Sequence, residues 1–196
     1  MIDKLDNDLG KILREAWNLL KNGCKDRNSA FRCPTISTIN VDGHPTSRTL
    51  VLRHVDSQHR MLRFHTDRRS PKYTELIQNP NLSCLFYNAP KKIQIRLQCY
   101  ATIHINNTIA RKAWDQSTRM SRICYTINSS PGTPVQKPPP APAPGEQEII
   151  KSFSNFCVII AKIKKIEWLY LCSAGHQRAV FEWTRNSSYW ASWLTP

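Results

Sequence analysis

The chain has 196 residues, a length typical of one domain, and its 40% apolar residues are enough for a sizeable core. Its 28 Lys and Arg against 14 Asp and Glu give a formal charge of +14, which suits nucleic acid, an acidic membrane surface or a phosphate-bearing small molecule. The longest apolar run, residues 156–161, is too short to span a membrane, and the charged amphipathic start differs from a secretory signal.

The cysteine pattern is typical of a reducing compartment. Seven cysteines are present, an odd number, and no two are spaced as Cys-x-x-Cys. A disulfide framework needs paired cysteines and a structural zinc site needs closely spaced ligand pairs. The six histidines show no metal-ligand spacing either. The sequence therefore predicts a cytoplasmic protein with no metal site, in which Cys84, Cys99 and Cys157 serve as small core residues.

The first half of the chain changes from a helical period to an alternating one. Apolar residues at three- and four-residue steps predict a helix over residues 3–22, with Gly23 as its stop. Alternation then predicts strands at 35–41, 45–55 and 61–66, the first two joined by an Asp-Gly turn. A short helix over 71–78 follows, with Ser70 as N-cap and Pro71 at its first position.

The second half contains further strands and one proline-rich segment. The predicted strands are 82–87, 93–105, 157–163 and 166–172, and the predicted helices are 108–123 and 146–156. Residues 129–145 hold seven of the thirteen prolines and predict an extended surface loop. Adjacent strands joined by tight turns indicate an antiparallel barrel or sandwich, and we expect residues 1–196 to form one domain.

A strand end followed by a helix start gives the first candidate site. Residues 66–72 have the sequence Thr-Asp-Arg-Arg-Ser-Pro-Lys. The unpaired N–H groups of a helix start, a hydroxyl and a nearby lysine favour an anion. Arg48 and Arg53 are five residues apart on the preceding predicted strand, so alternation predicts that they face opposite sides. An ordinary capped helix with solvated charges is the alternative interpretation.

Three short motifs follow one another along the middle of the chain. They are Ser-Arg-Thr-Leu-Val-Leu-Arg at 47–53, Phe-His-Thr-Asp-Arg-Arg-Ser-Pro-Lys at 64–72 with Asn-Pro at 79–80, and Gln-Ile-Arg at 94–96. In order and spacing this series resembles pyridoxamine 5'-phosphate oxidase and its relatives, which are FMN-binding split-barrel proteins. The resemblance implies a mainly β fold with flanking helices, a six- to seven-stranded antiparallel split β-barrel. It also implies FMN as cofactor and a homodimer with the flavin at its interface.

The resemblance further implies roles for individual residues. Arg48 and Lys72 are expected on the FMN phosphate, and Arg178 resembles a late basic residue that returns to the flavin. Arg53 is the candidate catalytic residue, since a fixed cation near the pyrimidine edge of the ring would favour the anionic reduced flavin. The implied cofactor-binding set is Arg48, Thr49, Leu50, Val51, Leu52, Arg53, His65, Thr66, Ser70, Lys72, Gln94 and Arg178.

The chain departs from the oxidase pattern where the substrate would bind. Pro71 replaces a basic residue, the substrate-phosphate run of Arg and Ser after the middle helix is not cleanly present, and His176-x-Arg178 replaces Arg-x-His. These departures indicate a divergent branch, in which FMN binding is better supported than a small phosphorylated amine as substrate.

The sequence therefore leaves three functions open. The first is an FMN-dependent oxidoreductase that transfers hydride from an amine to FMN, which oxygen reoxidises. The second is a non-enzymatic flavin-binding protein with a decayed substrate site. The third, a basic barrel for single-stranded nucleic acid, is less favoured because Leu, Val and Ile rather than aromatic residues separate the middle arginines. No membrane partner is expected.

Overall fold

A capped amphipathic helix opens the described part of the chain, which comprises residues 8–173, 175–184 and 188–196 of a computed structural model. Helix α1 (Leu9–Lys25) begins after Asp8, whose carboxylate accepts two N–H groups of the first turn. Its apolar stripe packs into the core as predicted, and residues 3–7 of the predicted helix lie outside the described residues. The helix continues through Gly23, where a Cβ would lie 2.5 Å from the Phe31 carbonyl oxygen, so this glycine allows a close approach and is not a stop.

Nine strands in the described residues form one antiparallel sheet. They are β1 (Thr35–Ile39), β2 (Pro45–Thr49), β3 (Leu52–Asp56), β4 (Met61–Asp67), β5 (Asn81–Asn88), β6 (Ile93–His104), β7 (Phe156–Tyr170), β8 (Gln177–Trp183) and β9 (Tyr189–Leu194). The shorter helices are α2 (Pro71–Gln78), α3 (Thr108–Asp115), α4 (Arg119–Ile123) and α5 (Glu146–Lys151), the last followed by a 3-10 turn over Ser152–Asn155. The strand order is β2-β1-β5-β6-β7-β4-β3, with β8 on β7 and β9 on β8. The predicted mainly β fold with flanking helices is confirmed.

The predicted single strand over residues 45–55 is wrong. Within these residues the chain passes from the strand at one edge of the sheet order to the strand at the opposite edge. Only Leu50 and Val51 separate β2 from β3, although these strands stand at opposite ends of the order. The Leu50 and Leu52 N–H groups donate to the carbonyls of Pro34 and Arg32. Two residues span only about 7 Å, so the two ends of the sheet must meet and the sheet closes into a barrel.

The strand count differs from the predicted six or seven for two further reasons. The predicted strands 157–163 and 166–172 are one strand, β7, whose pairing with β6 shifts register near Lys164 and so absorbs the bend. The chain end adds β8 and β9, which the sequence analysis missed. The predicted helix 108–123 is divided in two, because the Thr118 side chain accepts the Ser121 N–H and starts α4. The predicted helix 146–156 ends at Lys151, and residues 129–145 contain no helix or strand, as predicted.

Apolar side chains form two clusters, one inside the barrel and one outside it. The larger cluster joins α1 to the inward faces of the strands, and Leu20, Leu62 and Phe64 in it are fully buried. The smaller cluster packs α3 and α5 on β7 through Trp114 and Phe156. Cys84, Cys99 and Cys157 are buried and free, as predicted. None of the helices in the described ranges has the length and hydrophobicity needed to cross a bilayer.

Candidate functional site

A β-bulge sets the position of Arg53. Leu52 pairs with Phe64 and His54 pairs with Arg63, so Arg53 is the extra residue on β3. Bulges re-aim a side chain and are common beside functional sites. The strand break and this bulge together mean that simple alternation does not relate Arg48 to Arg53. The two arginines nevertheless lie in different surroundings.

Arg48 belongs to a compact group of polar side chains between β1, β2 and α2. Its guanidinium donates to the hydroxyls of Thr38 and Thr46 and lies 2.9 Å from Glu75 Oε2. Both threonine hydroxyls also donate to that carboxylate oxygen. Burial alone would raise the pKa of Glu75, but the hydrogen bond from Thr38 and the charge of Arg48 outweigh it and lower the pKa. Glu75 therefore stays ionised and holds Arg48 in place.

Lys72, Ser70 and Thr66 lie together at the start of α2. Ser70 occupies the N-cap position, as predicted, but its hydroxyl donates to the Asp67 carbonyl at 2.6 Å and does not cap the helix. The Thr66 and Ser70 hydroxyl oxygens are 3.3 Å apart and both residues are buried. Burial, and then the nearby Arg48 cation, lower the pKa of Lys72. A dianion beside these two cations would relieve their repulsion, so this group fits a phosphate.

A second group of basic side chains lines a cavity of about 180 Å³ beside β3 and β4. It contains Arg53, Arg63 and His65 from the strands and Arg32 from the segment after α1. Burial, then the charges of Arg63 and Arg53, lower the pKa of His65 to about 3, so His65 is neutral at physiological pH. Its ring packs edge-on against Phe156 with 4.9 Å between centroids, and its Nε2 is buried without a partner among the described residues.

The apolar residues of the predicted cofactor segment differ in accessibility. Leu52 is 1% exposed and lies in the core, although it also contributes to the wall of the cavity. Leu50 is half-buried and packs against the core, and Thr49 ends β2 with an exposed side chain. Val51 is also half-buried. Of these four residues, Leu52 is the one least able to flank a flavin ring, because its side chain is already enclosed.

Gln94 and Arg178 lie far along the sheet from Thr66. Both pair with Leu169, from the two strands that flank β7. Thr66 pairs with Cys157, twelve residues earlier on β7. At about 3.3 Å per residue this separation is about 40 Å along the strand. Within one chain, Gln94 and Arg178 are therefore separated along β7 from Thr66, which lies beside Ser70.

Sequence reasoning missed the charged partners of these residues. Glu167 accepts hydrogen bonds from Arg178 and Arg96 at 2.7 Å each, and Lys165 lies 3.4 Å away. Burial raises the pKa of Glu167, but the bonds from Arg178 and Arg96 lower it further than burial raises it. Arg63 was also missed. Its alternation with buried Leu62 and Phe64 was the available signal, since it places Arg63 on the opposite face from the core.

The fold and this arrangement define a class: an antiparallel barrel of the split-barrel type that FMN-binding proteins use. Two solved structures are similar to it. One is a pyridoxamine 5'-phosphate oxidase-related, FMN binding protein from Nostoc punctiforme, with a TM-score of 0.73, 21% identity, and 98% of this chain and 100% of that chain covered. The other is PhzG from Burkholderia lata in complex with tetrahydrophenazine-1-carboxylic acid, with a TM-score of 0.73, 18% identity, and 100% and 99% covered.

The sequence comparison matches the first half of the chain to a family model. Residues 14–105 match the family model described as pyridoxamine 5'-phosphate oxidase, FMN-binding domain. The resemblance inferred from the motifs is thereby confirmed over residues 14–105, and the domain that the matching model describes binds FMN as its cofactor. The family match ends before α3, so it leaves the second half of the chain unassigned.

Curated relatives are similar over limited stretches. A pyridoxine/pyridoxamine 5'-phosphate oxidase from Yersinia enterocolitica is 36% identical over 74 residues, 38% of this chain and 32% of the relative. A pyridoxine/pyridoxamine 5'-phosphate oxidase 2 from Arabidopsis thaliana is 23% identical over 165 residues, 79% of this chain and 83% of the relative. The chain thus aligns with about a third of the bacterial oxidase's length.

Proposed function

We propose that this protein is an FMN-dependent oxidoreductase whose flavin site is completed by a second copy of the chain. The observation that carries the proposal is the division of the predicted cofactor residues. Thr66 pairs with Cys157 at one end of β7 and lies beside Ser70 at the start of α2, close to Lys72, whereas Gln94 and Arg178 both pair with Leu169 at the other end. A homodimer in which one end of each chain faces the other end of its partner would bring both sets to one cofactor.

Each residue then has a chemical task. Arg48 and Lys72 would neutralise the FMN phosphate, and Glu75 would hold the Arg48 side chain in the required orientation. Arg53 would place a cation beside the ring. When bound, FMN supplies hydride acceptance from the substrate and reoxidation by oxygen. Replacing Arg53 with methionine should lower the midpoint potential of the bound flavin, because a cation stabilises the reduced, anionic form. An unchanged potential would remove this role.

The first experiment measures flavin retention and subunit complementation. The purified chain should show flavin absorbance through gel filtration and elute as a dimer. Lys72→Met and Arg178→Met should each abolish tight FMN binding, and co-refolding the two variants should restore it to one site of each heterodimer. Lys165→Met, which removes a neighbouring cation, is the matched control for Arg178→Met. If co-refolding restores no binding while each homodimer folds, the shared site is refuted.

The substrate that we propose is a small molecule. A small phosphorylated amine is the candidate that the family suggests, and turnover with pyridoxamine phosphate tests it. A protein that retains FMN but oxidises no amine would instead be the non-enzymatic flavin-binding protein with a decayed substrate site. Seven free cysteines in the described residues support a cytoplasmic location, and we treat the chain as one domain.

A further inference from the structure

The cavity that contains Arg53 has an unusual charge. Its described lining includes the guanidinium groups of Arg32, Arg53 and Arg63 and no aspartate or glutamate. None of the three arginines forms an ion pair with a described residue, in contrast to Arg48, Arg69 and Arg96 elsewhere in the barrel. With His65 neutral, the wall carries three positive charges and no negative one.

The cations in this cavity also lack hydrogen-bond acceptors. Arg53 Nε and Arg63 Nε are buried and have no partner among the described residues. Arg32 makes one long contact, 3.4 Å from its Nη1 to the Cys24 carbonyl. Burial, with the charge of Arg53 as a smaller cause, lowers the pKa of Arg63. Buried donors without acceptors are costly, and buried like charges repel, so the cavity is arranged for an anion that accepts several N–H bonds.

The walls come from parts of the chain that are distant in sequence. Arg53 is aimed by the β3 bulge, Arg63 lies on the outward face of β4, and Arg32 sits where the segment before β1 bonds to Leu52. Helix α3, helix α4 and the turn between them complete the wall, and their lining includes the small residues Ala113, Ser117 and Ser121. Small side chains there leave room for a ligand group. At about 180 Å³ the cavity is smaller than the 300–1,000 Å³ typical of whole ligands, so it would receive one end of a molecule.

We propose that Arg32 and Arg63 join Arg53 in a substrate subsite that binds an oxyanion, either a phosphate ester or a carboxylate. Arg32 and Arg63 lie outside the motifs that carry the family resemblance for the cofactor. The middle helices lack the run of Arg and Ser that would bind the substrate phosphate, and these two cations, one from a loop and one from a strand, would take its place. They determine specificity: a substrate must bring an anionic end to this cavity, and neutral or cationic amines without one are rejected. The role in substrate binding rests on the proposed flavin function, whereas anion binding by the cavity does not.

The test is a calorimetric titration of the FMN-loaded protein with inorganic phosphate and, separately, with acetate, at constant ionic strength set with chloride. Loading the protein with FMN fills the proposed binding site for the cofactor phosphate, so binding of the titrated anion is then measured at the cavity alone. We expect saturable binding that Arg63→Met and Arg32→Met each weaken about tenfold or more, as for a charge-assisted hydrogen bond. Arg14→Met removes an equal charge from the exposed face of α1 and should change the affinity less than twofold. Phosphate binding tighter than acetate assigns a phosphate ester, and the reverse order assigns a carboxylate.

The inference is overturned if the FMN-loaded protein binds neither anion saturably, or if the two cavity variants bind as the wild type does. Failure of the proposed function is a separate observation, because flavin retention is read from absorbance. If the chain retains no FMN, the titration is repeated on the flavin-free Lys72→Met variant. This substitution weakens anion binding at the group around Lys72, which would otherwise compete with the cavity. A loss caused by misfolding is recognised by Arg63→Lys, which keeps the charge and should keep most of the binding.

Discussion

The two arginine clusters of this barrel use the same side chain in opposite electrostatic settings. Around Arg48, a buried carboxylate and two hydroxyls accept the guanidinium hydrogens. Around Arg53 and Arg63, the described lining contains no carboxylate, and two guanidinium nitrogens remain unpartnered. The Arg48 guanidinium has acceptors within the chain, whereas the proposed anion would supply the acceptors that Arg53 and Arg63 lack among the described residues. An arginine in a sequence motif therefore does not reveal which of these roles it has.

The difference predicts opposite consequences for removing an arginine. A buried ion that loses its partner destabilises a fold, whereas removing one of several like charges relieves repulsion. Stability measurements can therefore separate an arginine that supports the structure from one that waits for an anion.

The largest effect expected at neutral pH is that of Arg48→Met. It leaves the Glu75 carboxylate 5% exposed with only its two threonine donors. The free energy of unfolding should fall by about 2–3 kcal/mol, below the range for fully buried pairs because Arg48 is partly exposed. Urea unfolding measures the loss. Adding Glu75→Gln to this variant should recover part of it, and a double variant less stable than Arg48→Met alone would contradict the pairing.

The second prediction concerns acid and His65. Its pKa of about 3 in the folded chain lies below the ordinary value of 6.5, so the unfolded chain binds a proton first as pH falls. Stability should therefore fall between pH 6.5 and about 3, by up to about 1.4 kcal/mol per pH unit. His65→Gln should remove this slope. Unfolding curves at several pH values measure it, and a slope that survives in His65→Gln would assign it to another group.

The Glu75 carboxylate should respond in a different pH window. Its folded pKa lies below the ordinary 4.5, so its contribution is complete above that value and is lost as pH falls through the folded pKa. The stability difference between wild type and Glu75→Gln should therefore be constant from pH 7 to about 5 and shrink only in stronger acid. A difference that already shrinks near pH 6 would mean that Glu75 is not held ionised by Arg48.

The fourth prediction is a gain in stability. Arg63→Met in the anion-free protein should raise the free energy of unfolding by about 1 kcal/mol, because it removes one of three clustered cations and keeps the packing of the side-chain stem. Urea unfolding in chloride measures this gain, with Arg14→Met as the exposed control. Added phosphate should reduce the difference in unfolding free energy between Arg63→Met and the wild type, because phosphate binds more tightly to the wild type and stabilises it more. A loss as large as that of Arg48→Met would show that Arg63 has a partner in the free protein.

The sequence predicted most of the barrel because alternation on the strands follows burial closely. On β4, buried Leu62 and Phe64 alternate with Arg63 and His65. Alternation could not show that residues 45–55 form two strands, because Leu50, Val51 and Leu52 are an unbroken apolar run. The change of partner strand at these residues depends on the tertiary structure. The motifs predicted Arg48 and Lys72 as phosphate ligands, and the structure places the two side chains near each other. The motifs could not identify Arg32, whose position in the cavity depends on how the loop after α1 folds back onto β3.

The smallest expected effect tests whether burial, rather than charge alone, separates the clusters. Arg119 and Glu146 approach to 3.9 Å, and both side chains are more than half exposed. Arg119 also donates to the Pro144 carbonyl at the end of the proline-rich segment. Arg119→Ala should change the free energy of unfolding by less than about 0.5 kcal/mol, because exposed pairs are screened and their side chains lose entropy on pairing. Unfolding at low and high salt measures it. A loss comparable to that of Arg48→Met would mean that the enclosed surroundings of Glu75 are not what makes Arg48 structurally important.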